Sequence, residues 1–66
     1  MKKILDKIER IRNRGRATLK LPKSSPFYYY NGNTFIVDSI GDPGYKCRVT
    51  LIIRDKLVHF TIHDVL

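Results

Sequence analysis

A chain of 66 residues with one cysteine and a formal net charge of +7 has room for one domain, with no internal disulfide and no cysteine-built zinc site to staple it. No apolar run approaches the roughly 20 residues of a membrane span. The opening Met-Lys-Lys leads into an interrupted apolar pattern, unlike the continuous core of a signal peptide. These features predict a single domain over 1–66 in a reducing, cytoplasmic setting, with a compact β core as a monomer or help from a second copy as a homodimer.

The charge is uneven. Residues 1–23 hold nine Lys and Arg against Asp6 and Glu9, which is the whole net +7, and the remaining residues balance. A basic first third on a neutral remainder points to an anionic partner, nucleic acid before membrane.

Residues 2–14 read as an amphipathic helix, the basic part of the chain occupying 1–15. Ile4, Leu5, Ile8 and Ile11 make one narrow apolar stripe, Asp6 stands four before Arg10, and Gly15 is placed to end the helix. A helix this short is marginal alone in water, so the stripe must dock on a sheet or on a partner. Residues 16–66 form the antiparallel β part. From Arg16 to Leu21 the chain alternates Ala17, Leu19 and Leu21 against Arg16, Thr18 and Lys20, a short strand that Pro22 ends. Phe27, Tyr28, Tyr29 and Tyr30 lead into Asn31-Gly32 and on to a run from Thr34 to Ile40, the pattern of a hairpin. It predicts Tyr28, Tyr30, Phe35 and Val37 on one side and Phe27, Tyr29, Ile36 and Ile40 on the other. The Gly-Asp-Pro-Gly run at 41–44 is a turn.

The last two strands carry most of the apolar alternation. With Asp55-Lys56 as a two-residue turn, Ile53 pairs with Val58, Leu51 with Phe60 and Val49 with Ile62. Tyr45, Cys47, Val49, Leu51, Ile53, Val58, Phe60 and Ile62 then share the core face. A slip of one residue would send each apolar set to the wrong side. The tail is expected to fold Val65 or Leu66 back over an open end. The predicted class is α+β, an N-terminal helix followed by a five-stranded antiparallel sheet. In strand number and spacing it resembles a small SH3-like partly open barrel, a resemblance of architecture that implies no function.

Lys3, Lys7, Arg10 and Arg14 follow one another at spacings of three and four, a basic ridge able to track a phosphate backbone. Arg12, Arg16 and Lys20 add to it. A solvated face and a membrane-surface helix are the alternatives, the latter opposed by the absence of a Trp or Phe anchor. Tyr29, in an aromatic run beside this segment, is a candidate for stacking on bases; aromatics on strands also simply fill cores. Lys46, Arg48, Arg54 and His59 on the outer face of the last hairpin form a possible second basic surface. His59 and His63 on one strand would stand about 13 Å apart, too far to share a metal. With no nucleophile-elbow signature, no Gly-rich phosphate loop before a helix and Cys47 pointing inward, the expectation is a non-enzyme without cofactor or metal.

The sequence therefore predicts a small nucleic-acid-binding module, for DNA or RNA, gripping phosphates through the helix and first strand. The alternative is a protein-interaction module, a regulator or inhibitor docking on an acidic protein surface through the basic helix and the Tyr28, Tyr29 and Tyr30 hairpin.

Overall fold

The computed structural model describes residues 2–66. In chain order the elements are helix α1 (Lys2–Arg14), strand β1 (Arg16–Thr18), a 3-10 turn (Tyr28–Tyr30), strands β2 (Thr34–Ile40), β3 (Arg48–Ile53) and β4 (Lys56–Thr61), and a second 3-10 turn (Ile62–Asp64). The class is α+β: one helix and a four-stranded antiparallel sheet of order β1-β2-β3-β4. The fifth strand expected from the aromatic run is absent.

The helix begins and ends where its pattern says. Gly15 adopts φ +69°, and its N–H donates to the Ile11 carbonyl at 2.8 Å, closing the last turn in the left-handed conformation that glycine enters without a Cβ penalty. Its own carbonyl already accepts from Val37 N–H at 2.9 Å. One residue thus ends α1 and starts β1, fixing the angle between them. A Cβ built at Gly15 meets nothing within 4 Å, so Gly15→Ala carries only the backbone penalty. We expect a loss of about 1–2 kcal/mol, read as a lower urea midpoint at unchanged m-value.

Ile8 and Ile11 are buried in the core of their own chain, Ile4 packs against it, and Leu5 is exposed. The stripe is therefore narrower than expected. At 100° per residue Leu5 lies on the far flank of Ile8, beyond the reach of the sheet.

The β3–β4 hairpin keeps its predicted faces but not its predicted turn. Arg54 and Asp55, both at positive φ (51° and 64°), form the two-residue loop, which is the twist-compatible geometry for a tight hairpin. Ile53 then pairs with Lys56, Leu51 with Val58 and Val49 with Phe60. The shift from the expected register is two residues. An even shift leaves every side chain on its face, so Val49, Leu51, Ile53 and Phe60 are buried as their alternation requires. Cys47 and Ile62 join them. Tyr45 does not: β3 begins only at Arg48, and Tyr45 stands in the preceding loop, 69% exposed.

Two further corrections come from β2 and the loop before it. The β2–β3 register jumps at Asp38: Val37 faces Leu51, yet Ser39 faces Thr50 and Ile40 faces Val49. The extra residue of this bulge reverses the alternation beyond it. Ile40 thereby moves onto the core side with Phe35 and Val37, while Ile36 stays outside. The aromatic run is not a strand. Successive turns carry it, with Tyr28 N–H to Ser25 O, Tyr30 N–H to Phe27 O and Asn31 N–H to Tyr28 O at 3.1, 2.9 and 2.8 Å. A strand would send Phe27 and Tyr30 to opposite faces. Three residues apart in a 3-10 turn they share one, and both reach inward, Phe27 edge-on to Phe60 and Tyr30 edge-on to Phe35.

The tail returns to the end of the chain's first strand. Beyond β1, Leu19 bridges Val65, Lys20 N–H donates to Asp64 O at 2.8 Å and Leu66 N–H to Thr18 O at 2.9 Å. Val65 is buried and Leu66 exposed. A capping box at Thr61 and Asp64 turns the chain out of β4 toward β1.

Candidate nucleic-acid interface

The corner at Gly15 sets α1 alongside β1 and the tail, and an open groove of about 1280 Å³ runs between them. Arg10 and Arg14 line the helix wall; Arg16 and Lys20 line the strand wall; Lys7 and His63 line it as well. No Asp or Glu is among the lining residues. Thr18 and Thr34 contribute a hydroxyl pair 2.6 Å apart, and Ile11, Ala17 and Val65 supply the apolar floor. The groove is larger than the roughly 300–1,000 Å³ of small-ligand clefts and open to solvent. Cations on both walls, with no acidic side chain among the lining residues, raise the local concentration of anions.

Lys7 is a special case. Its ammonium donates to the carbonyls of Ile62 (3.1 Å) and Val65 (2.8 Å), pinning the helix to the tail. Partial burial, and then the neighbouring charges of Arg10 and Lys20, hold its pKa below the usual 10.5. Lys7 is thus chiefly a strut, and its depressed pKa reports first its partial burial and only then the like charges beside it. The unfolded chain binds this proton more tightly than the folded one. Through the window between the depressed folded value and 10.5 Lys7 contributes stability that grows with rising pH, while the neutral amine keeps its donors. The stability difference between wild type and Lys7→Met should therefore widen as pH climbs toward 10.5, followed by urea denaturation across an alkaline series. A difference that shrinks over that range would contradict the burial cause.

Of the other sequence candidates, Lys3 is exposed on the same ridge one turn before Lys7, outside the groove. Arg12 is not part of the ridge. It lies on the other flank of α1 beside Val37, Asp38, Ser39 and Ile40, because burying Ile8 and Ile11 turns positions 12 and 14 to opposite sides. Tyr29 is 69% exposed on its 3-10 turn, its ring 4.2 Å from that of Tyr30. It does not line the groove, since the turn has carried the aromatic run over the sheet instead of alongside β1.

The four residues of the second basic surface do not all lie together. Lys46 and Arg48 share a shallow cleft with residues 41–44, whereas Arg54 sits in the hairpin turn at the other end of β3, about 20 Å away at the usual rise per residue. His59 Nδ1 is engaged with Thr50 Oγ1 at 2.8 Å. Cys47 is buried, and its burial, followed by the nearby Asp42, pushes the thiol pKa up, away from nucleophilic use. Among the described residues no three His, Cys, Asp or Glu side chains converge as a metal site, and no helix is long and apolar enough to cross a membrane.

Sequence reasoning missed an aromatic pair that adjoins the groove through His63. Tyr45 and His63 lie nearly parallel, 16° apart with ring centroids at 6.1 Å. Eighteen positions separate them along the chain, in a loop and a 3-10 turn, and no periodicity links such positions. Compared with known proteins, the chain matches no family model, no curated protein and no solved structure.

Proposed function

We propose that this chain is a small nucleic-acid-binding module, cytoplasmic and non-enzymatic, that holds a phosphate backbone in the groove between α1 and β1. The observation that carries the reading is the composition of that groove: Arg10 and Arg14 on one wall, Arg16 and Lys20 on the other, with no carboxylate side chain between them. Such a lining suits successive phosphates, each neutralised by a guanidinium or ammonium that releases condensed counterions. The same reading takes the sheet as a small SH3-like, partly open barrel. The meander order and the return of Val65 to Leu19 support it.

Four such contacts imply a slope of log K against log salt of about −3 on single strands and about −3 to −4 on duplex DNA. A gel-retardation series in rising salt measures it directly. Absence of salt-dependent retardation of any nucleic acid at low salt and micromolar protein overturns the proposal. A protein partner that survives nuclease treatment in a pull-down would then reassign the groove to an acidic protein surface.

A further inference from the structure

His63, one of the groove's lining residues, pairs with Tyr45 outside it. Arg14 and Arg16 flank Gly15 at one end; Lys7, bonded to the Ile62 and Val65 carbonyls, and His63 mark the other. Along α1 the stretch from position 7 to 14 measures about 10 Å. Beyond it Tyr45 extends the His63 ring as a nearly parallel neighbour, and 69% of Tyr45 is open to solvent. A ring so exposed adds little to the core, and through His63 it adjoins the groove.

Resting on the nucleic-acid reading above, we infer that the ligand is single-stranded, with an unpaired base stacking on the Tyr45–His63 platform while Arg10, Arg14, Arg16 and Lys20 hold the adjoining phosphates. A base inside a duplex has both faces covered by its neighbours and offers none to a side chain. A stacking ring is sequence-tolerant because every base has a π face. The groove also favours one backbone over two. Its four cations stand on two facing walls, Arg10 and Arg14 across from Arg16 and Lys20, a lining for one run of phosphates. Deoxyribose and ribose strands share the chemistry that the platform and the groove recognise.

The test is fluorescence anisotropy with labelled oligo-dT, labelled oligo-rU and a mixed-sequence duplex, each about 12 units long, within the range of small single-strand sites. Wild-type protein should bind at least one single strand more tightly than the duplex. Tyr45→Ala should weaken the single strand about ten-fold or more and leave the duplex unchanged. Its salt slope should match wild type, because a stacked ring releases no counterions; Tyr45→Phe should restore binding. The dT and rU arms separate DNA from RNA as the source of the strand. Thermal midpoints of both variants check the fold. Tighter binding of the duplex, or a Tyr45→Ala effect that is absent or equal on both ligands, overturns this inference and leaves the phosphate groove standing. Failure of all three ligands to bind overturns both.

Discussion

Leu51→Ala should destabilise the protein by about 3–5 kcal/mol, among the largest losses expected from a single truncation here. Leu51 has no exposed surface, sits mid-strand in β3 and faces Val37 on one side and Val58 on the other. Both neighbours are held in ladders and cannot close over the space. The lost transfer energy is therefore compounded by a cavity. Set against a total stability of about 5–15 kcal/mol for an ordinary domain, such a loss takes a large share, and a chain this short buries less than most. Ile52→Ala is the control. Its side chain is half-buried on the opposite face, paired across strands with Ile36 and Leu57, which are 54% and 56% exposed. Those neighbours are free to shift, and the cost should stay near 1 kcal/mol or below. Urea denaturation of the two variants settles the order. Ile52→Ala proving the more damaging would mean that the β3 faces are reversed.

Changing Arg10 and Arg14 together to Gln should flatten the salt dependence of nucleic-acid binding by about 1.4 on a single strand and nearly 2 on a duplex. It should weaken all sequences alike, because phosphate contacts carry no sequence information. Arg12→Gln should leave the slope where it was. Arg12 is as basic and as exposed as the other two and lies in the same last turns of α1, but on the flank away from β1. The comparison separates a groove from a general cationic cloud, which would respond to all three positions equally. All three side chains are exposed, so the fold should survive the changes, with only a small loss where Arg12 or Arg14 complements the helix C-terminus. An equal response to Arg12→Gln and to a single Arg14→Gln would remove the groove from the mechanism and leave only net charge.

Much of the local structure was legible because it depends on near neighbours. The end of α1 follows from one glycine at the position where a left-handed residue is needed. The inward set Val49, Leu51, Ile53 and Phe60 follows from period two, which survives any even shift of register. The same tolerance is why the turn could not be placed: Asp55-Lys56 and Arg54-Asp55 leave the same residues on the same faces, and only the backbone twist of the hairpin chooses between them. Ile40 and Tyr45 were misplaced because alternation was carried past points where the strand stops alternating, at a bulge in β2 and before the start of β3.

The sequence by itself determined the α+β class, the helix with its ending, and the gathering of the whole net charge in the first third of the chain. Helical spacing also set Lys3, Lys7, Arg10 and Arg14 on one ridge, since residues three and four apart share a face, with Arg12 expected to add to it. Only the tertiary structure decided which cations meet. Docking through Ile8 and Ile11 turns one flank of α1 toward β1, brings Arg10 and Arg14 across from Arg16 and Lys20, diverts Lys7 to the tail carbonyls and leaves Arg12 outside. It also rolled the tyrosine run into a 3-10 turn and set Tyr45 against His63. The physical reason is the range of the forces involved. Periodicity and caps act within a few residues, whereas the groove is made by long-range burial that joins the first helix to the last residues of the chain.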